Sequence, residues 1–497
     1  VNLATIIDAH PDDAVAVISR GKTTTYGMLR EQVAGFRGGL SGLGLEPGDR
    51  LAVACANNWY FVVSVLAGLG AGLVVVPLDP MATGRELQAD LTRVGARAVV
   101  LGPSARNAFA GVDLGAVPQL EHVIDCGIPD AGGRLLLDRV MAARPTPIVE
   151  RGPDDLAVLL STSGTAGMPK AAMLTHGNLH AFLDQTGRRP GSRPDDVVLG
   201  VAPFSHVLGL GVVLVAALHA GSAVVLIERF DPSTASDTIA RWGVTVLAGP
   251  PALWGALAAL PDAGPDRFAT VRVAVSGGSP LHAHTAALVR DRLGLTLAEG
   301  YGLTETTSTV TSSVGIEART GSVGRPVPGL EVRLVGDHGD DVAAGEPGEI
   351  WVRGPTVFRG YWDDPASTAA VLTPDGWLRT GDVAVAGEDG YLVLVDRITD
   401  LVIVSGLNVH PAEVETVLRE HPGVADVAVV GVPHPYTGET VKGFVVPARG
   451  HSVEEDDVIA FARQRLARYK CPTKIEFVDA LPEGRGGKLS RGDLRTR

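Results

Sequence analysis

The sequence predicts an α/β fold: a large N-terminal domain of two α/β layers plus a β-rich subdomain, followed by a small α+β C-terminal domain. Three observations carry that prediction. Short Val/Ala/Leu runs alternate with helix-length stretches as far as about residue 320, the pattern of parallel strands covered by crossover helices. From about Gly321 the texture changes to brief runs separated by Gly, Pro and Asp turns, which predicts antiparallel structure. The chain has 497 residues, whereas single cores seldom grow beyond about 250–300, so more than one domain is required.

The elements follow in order. After Thr25, apolar residues at Met28, Leu29, Val33, Phe36 and Leu40 keep a helical period, and Gly44 and Gly48 end it. Segments 51–55, 73–78, 96–101 and 121–125 read as strands. The apolar run from Phe61 to Leu78 has the length of a membrane span, but its glycines, Ser64 and Pro77 favour a helix followed by a buried strand. Val207 to Ile227 is divided in the same way by His219 and Gly221. Strands near 156–158, 197–202, 222–227, 244–248 and 271–276 predict a second α/β layer. LEVRLV, GEIWVR and YLVLV supply the antiparallel part, and the last hundred residues alternate strands with helices at 412–420 and 453–467. The expected division is 1–398 (about 1–155 and 156–320 α/β, 321–398 β-rich) and 399–497.

Composition narrows the function. Hydrophobic residues make up 45% and charged ones 20%, a soluble globular balance. A formal net charge of −13 excludes nucleic acid as a natural partner and means that any polyphosphate site must be built locally. Cys55, Cys126 and Cys471 have no metal spacing and read as reduced residues of a cytoplasmic protein. The start carries Asp8, Asp12 and Asp13 without a basic segment before an apolar run, so no Sec-type signal and no transmembrane segment are expected.

The chemistry concentrates in a few stretches. STSGTAGMPK places Ser161, Thr162, Ser163, Gly164, Thr165 and Gly167 ahead of Lys170. Small residues admit close backbone approach, hydroxyls donate and a lysine adds charge, as in a polyphosphate cradle or in an ordinary Ser/Gly turn. GxxxxGK[ST] does not fit these spacings. At 300–306, GYGLTET sets an aromatic ring and backbone donors at a strand's carboxyl end, where ligands bind in open sheets; Glu305 there is a cation ligand or a solvated turn residue. VSGGSP contributes Gly277, Gly278 and Ser279. RTGD brings Asp382, whose two oxygens suit a vicinal diol or a surface ion pair. GRGGKLSR brings Lys488, in a Gly-rich stretch near the end of the sequence.

In order and spacing these motifs resemble those of the adenylate-forming superfamily of acyl-CoA synthetases, luciferases and peptide-synthetase adenylation domains, and most nearly the fatty acyl-CoA synthetases. The resemblance covers essentially the whole chain. It implies a carboxylic acid substrate, activated with ATP and Mg²⁺ as acyl-AMP and then passed to coenzyme A. It assigns Thr162, Ser163, Gly164, Thr165, Gly167 and Lys170 to the phosphates and Gly277, Gly278, Ser279 and Tyr301 to the adenine. Asp382 and Arg397 go to the ribose, Thr304 to the phosphates and Glu305 to magnesium. Lys488 becomes the catalytic lysine of a mobile C-terminal domain that turns about a hinge at Thr399.

Gly406 and Leu407 would line the thiol tunnel, and the acyl pocket would involve His206, Gly209, Gly302 and Thr307, with Gly211 and Val310 nearby. His206 also reads as a packing residue. Thr399, Ala171 and Ile403 depart from common family residues, and the role of Glu299 stays open. The basic run RQRLARYKCPTK fits either the phosphates of coenzyme A or a solvated helix face. Alternatives are an acyl-AMP ligase that loads a carrier protein, an aryl or hydroxycinnamate CoA ligase, and a non-catalytic acyl or nucleotide binder. A homo-oligomer stays open.

Overall fold

The computed structural model describes residues 1–127, 135–162, 169–187, 193–279, 281, 283–336, 339–397, 402–409, 411–448, 453–482 and 494; residues 395–397, 408 and 412 are described by backbone alone. The α/β architecture expected from the alternating runs is present. One seven-stranded sheet has the order Leu135–Leu136, His122–Asp125, Ala98–Leu101, Arg50–Ala54, Val74–Pro77, Leu156–Thr162, Lys170–Thr175. It is parallel except for the final pair, an antiparallel ladder in which Thr162 faces Lys170.

A nine-stranded sheet runs from Arg325–Pro326 through Thr311–Ser312, Ala298–Tyr301, Val273–Ser276, Val246–Gly249, Val197–Gly200 and Ala223–Leu226 to Val15–Ser19 and Lys22–Thr25. Its middle is parallel, and antiparallel pairs close both ends. Sheet membership therefore cuts across residue 155: Val15–Ser19 pairs with Ala223–Leu226, while Leu156–Thr162 joins Val74–Pro77. The physical reason lies in burial, since each all-apolar strand needs two covered faces and takes its neighbour wherever the core offers one.

Helices Tyr26–Gly42 and Trp59–Gly70 contribute to one core that reaches both sheets, touching Val17 and Val224 in one and Leu51, Val53 and Val75 in the other. Every residue from Phe61 to Gly70 is buried. That explains the long apolar run, and among the described residues no helix is long and apolar enough to cross a membrane.

A four-stranded antiparallel sheet follows, formed by Glu331–Val335, Pro347–Arg353, Leu378–Ala386 and Leu392–Arg397. The last sheet orders Leu407–Val409, Val402–Val404, Gly438–Pro447 and Val424–His434, with Lys474–Phe477 added in parallel to Gly438–Pro447. Helices Pro411–Arg419 and Glu455–Arg463 pack on it through Val414, Leu418, Val458 and Ala462. All three cysteines are buried and free.

Candidate active site

Neighbouring parallel strands Val273–Ser276 and Ala298–Tyr301 pair Ser276 with Glu299. Their carboxyl ends open into Gly277–Ser279 and Gly302–Glu305, as expected at the edge of an open sheet. These turns border a cavity of about 1130 Å³. Thr162, Tyr301, Asp382 and His206 line it too, and the C-terminal sheet contributes Ile403, Gly406 and the turn from Pro433 to Glu439. A second cavity of about 210 Å³ shares Thr162, Thr304 and His206 as a dividing wall and has Ser205, Glu86, Glu413 and Lys470 on its far side.

Local geometry fixes the polar groups. The Tyr301 hydroxyl donates to Asp382 Oδ2 at 2.7 Å, and Asp382 faces Arg397 across the antiparallel ladder. The two residues assigned to a ribose are therefore cross-strand neighbours, and one of them is held by the Tyr301 hydroxyl. Gly302 is required by crowding, since a Cβ there would lie 1.4 Å from the Ser308 carbonyl oxygen. The turn that presents Thr304 and Glu305 can thus fold back tightly on itself.

On the phosphate side, Tyr361 donates its hydroxyl to Glu305 Oε1 at 2.8 Å. The Lys170 ammonium stands 4.9 Å from the centre of the Tyr361 ring, within the range of a cation–π contact. Desolvation raises the Glu305 carboxyl above the usual carboxylate range, opposed by the Tyr361 hydrogen bond and the Lys170 charge. Thr162 Oγ1 and Ser276 Oγ are buried on the cavity wall with no hydrogen-bond partner among the described residues. Orphaned hydroxyls and a desolvated carboxylate on the cavity wall, with the Lys170 ammonium off the lining but over the Tyr361 ring, suit a triphosphate carrying a hard divalent cation.

Burial lowers the pKa of His206, with Asp79 opposing and Lys470 adding to the shift, so the imidazole is neutral at pH 7. Glu299 borders the cavity, and burial pushes its carboxyl up to about 7.

Not every expected residue meets the cavity. Gly209 is buried away from its lining, where a Cβ would lie 2.1 Å from the Pro203 carbonyl oxygen. It lets the π-helix Leu208–Val215 sit close to the preceding turn. Thr307, at φ +54, donates to the Thr356 carbonyl at 2.7 Å, so it holds the turn instead of lining the pocket. Gly211 and Val310 likewise stay off the lining. Gly406 lines it, whereas Leu407 does not. Ser163, Gly164, Thr165, Gly167, Thr399 and Lys488 lie outside the described residues, as does the side chain of Arg397.

Tyr361 lies outside every motif of the sequence analysis, and Lys470, inside the basic run, is not the solvated residue that one reading of that run expected. The only local mark of Tyr361 is the aromatic pair Tyr361-Trp362 in a Gly/Asp turn. Lys470, within the basic run, is buried in an ion cluster with Glu86 and Glu413.

Comparison with known proteins agrees with this layout. The family described as AMP-binding enzyme matches residues 3–362, and its C-terminal domain matches residues 413–488. A feruloyl-CoA synthase of Amycolatopsis sp is 37% identical over 97% of this chain and 96% of its own length. A long-chain-fatty-acid–CoA ligase of Escherichia coli O157:H7 is 35% identical over 97% of this chain and 91% of its own. Among solved structures, the amide bond synthetase McbA from Marinactinospora thermotolerans superimposes with a TM-score of 0.90 at 33% identity, covering 100% of this chain and 99% of that one. Two adjoining family matches, carried by relatives along nearly the full length, place the chain in the AMP-binding enzyme family as an AMP-forming acid–thiol ligase.

Proposed function

We propose that the acid activated here is a medium- or long-chain fatty acid. ATP, Mg²⁺ and coenzyme A are the cofactors of the ligase. The observation that carries the substrate reading is the apolar extension of the main cavity. Beyond His206 its walls include Val207, Leu208 and Val212 of the π-helix region and Ala252, Ala256 and Ala259 along one side of helix Pro251–Ala258 and its end. An aliphatic chain gains about 0.8 kcal/mol per buried methylene on such a surface. His284 and Thr285 are the polar residues on that side, so an ammonium would lack a counter-charge there.

In the first half-reaction the acid's carboxylate oxygen attacks the α-phosphorus of ATP and pyrophosphate leaves. The carboxylate is already ionised at neutral pH, so the attack needs no general base. Glu305 would hold magnesium, which would supply charge neutralisation for the phosphates. Lys170 and Thr162 receive the leaving pyrophosphate, Tyr301 covers the adenine, and Asp382 accepts from the ribose hydroxyls. Lys488 serves as the donor aimed at charge that develops during the attack. In the second half-reaction a thiol that enters past Gly406 attacks the acyl carbon and AMP departs.

The test is AMP release with ATP, Mg²⁺ and coenzyme A against octanoate, palmitate, benzoate and ferulate. Octanoate or palmitate should exceed the aryl acids in kcat/KM by at least about tenfold. The likeness to a feruloyl-CoA synthase favours a second reading, an aryl acid. A preference for ferulate would replace the fatty-acid proposal by that one.

A further inference from the structure

The segment from Phe358 to Trp362 comes from the β-rich part of the chain, yet it is stitched to two elements of the phosphate side. Phe358 N donates to the Glu305 carbonyl at 2.9 Å. Arg359 N donates to the Met173 carbonyl at 3.0 Å, Met173 N to the Gly360 carbonyl at 2.9 Å, and Trp362 N to the Ala171 carbonyl at 2.8 Å. The segment thus extends the edge beside strand Lys170–Thr175 while gripping the turn that carries Glu305. Tyr361 stands where these two attachments meet. Its N–H is held by Thr368 Oγ1 at 2.9 Å, and Phe358 packs edge-on against its ring at a centroid distance of 4.9 Å. Only 7% of the residue is exposed.

From this geometry we propose that Tyr361 is a positioning residue for the adenylation half-reaction: its hydroxyl fixes the Glu305 carboxylate and its ring seats the Lys170 ammonium. One side chain thereby sets the separation of the two groups that receive magnesium and the phosphates. The inference rests on the reading of Glu305 and Lys170 given above. A tyrosine that served packing alone would need its ring but no particular hydroxyl partner. Here the hydroxyl reaches across 56 positions of sequence to one carboxylate oxygen, and the ring face turned to Lys170 is the electron-rich one that attracts a cation. Without the phenol, the buried carboxylate loses a donor and can take other rotamers. Without the ring, the lysine loses its seat as well.

The experiment uses the full chain with Tyr361→Phe, Tyr361→Leu and Glu305→Gln. Tyr361→Phe keeps the ring, the Phe358 contact and the Lys170 contact while it removes the hydrogen bond. The expected result is a rise of about three- to tenfold in KM for MgATP in adenylation. The Mg²⁺ concentration needed for half of the ATP-induced melting shift should rise in parallel. KM for the acid and thioesterification of supplied acyl-AMP should stay within about twofold of wild type. Tyr361→Leu should lose about a further tenfold on the ATP side, because the cation contact goes too.

Tyr361→Phe that leaves both the MgATP and the Mg²⁺ readouts unchanged, while Glu305→Gln shifts them, overturns the positioning role alone. Equal loss in both half-reactions together with a lowered melting temperature also overturns it, in favour of core packing. If Glu305→Gln itself leaves the Mg²⁺ dependence untouched, the Glu305 assignment fails and the proposal falls with it.

Discussion

The Glu299 carboxyl sits beside the cavity with the Gly321 N–H donating to it at 3.2 Å, and burial raises its pKa from 4.5 to about 7. A carboxyl that titrates higher in the folded chain takes up a proton on folding between those two values. Its cost to stability is absent below about pH 4.5 and reaches on the order of 3 kcal/mol above about pH 7. Glu299→Gln should therefore melt higher than wild type at pH 8.5, and the difference should vanish near pH 4; a gap independent of pH refutes the raised pKa. Lys488→Ala should slow adenylation by about a hundredfold or more and spare thioesterification of supplied acyl-AMP. Equal loss in both halves contradicts the role given to that lysine. Residues such as Thr162, Tyr301, Glu305 and Asp382 are legible in sequence because the chemistry demands certain types inside short motifs. Tyr361 is not, because its partner lies 56 positions away and it stands in no stretch with a local signature; the basic run marks Lys470 but not its burial, because its partner Glu86 lies 384 positions away.

At the scale of elements, the hairpin formed by Val402–Val404 and Leu407–Val409 reaches the cavity from the C-terminal sheet beside the turn from Pro433 to Glu439. Ser405 and Gly406 turn it at φ +52 and +80. A Cβ at Gly406 would lie 2.5 Å from Pro250 Cβ, and the position comes near Gly278 on the adenine side. Gly406→Val combines backbone strain with that clash, so the hairpin cannot approach. Thioesterification of supplied acyl-AMP should fall at least about tenfold, with adenylation within about threefold; the reverse pattern removes Gly406 from the thiol path. From sequence the run after Asp400 reads as one strand ahead of helix 412–420, whereas Ser405 and Gly406 fold it into a hairpin. The same limit explains the sheets. Apolar runs such as 73–78 and 96–101 announce buried strands, but periodicity carries no partner, and Val15–Ser19 joined a sheet assembled mostly from strands beyond residue 190. Gly209 and Thr307 show the complementary error, since residues close in sequence to a site can serve the fold of a turn.

For the whole molecule, the arrangement that brings the hairpin to the cavity is held by charges between helix Gly84–Val94 and the C-terminal sheet with its helices. Lys470 Nζ donates to Glu86 Oε1 at 3.1 Å and to Glu413 Oε1 at 3.0 Å, with all three side chains 15% exposed or less. Burial opposes the ammonium, yet Tyr469, Glu413 and Glu86 outweigh it and hold its pKa above the ordinary lysine value. Burial raises Glu413 in turn, with Lys470 opposing. Next to this cluster, Arg85 pairs with Glu420 at 2.6 Å, but those side chains are 52% and 41% exposed. The two contacts look alike on paper and differ in worth. Removing one partner of a buried pair costs about 3–5 kcal/mol, whereas an exposed pair contributes about 0–1 kcal/mol. Lys470→Met would leave two desolvated carboxylates facing each other, enough to shift the docked arrangement by more than about tenfold at 1.4 kcal/mol per decade. Thioesterification should drop accordingly and adenylation should hold, while Arg85→Ala should change neither by more than about threefold. Similar losses from Lys470→Met and Arg85→Ala would mean that burial does not set the strength of this interface, and no loss from Lys470→Met would mean that the docked arrangement is held by the apolar contacts alone.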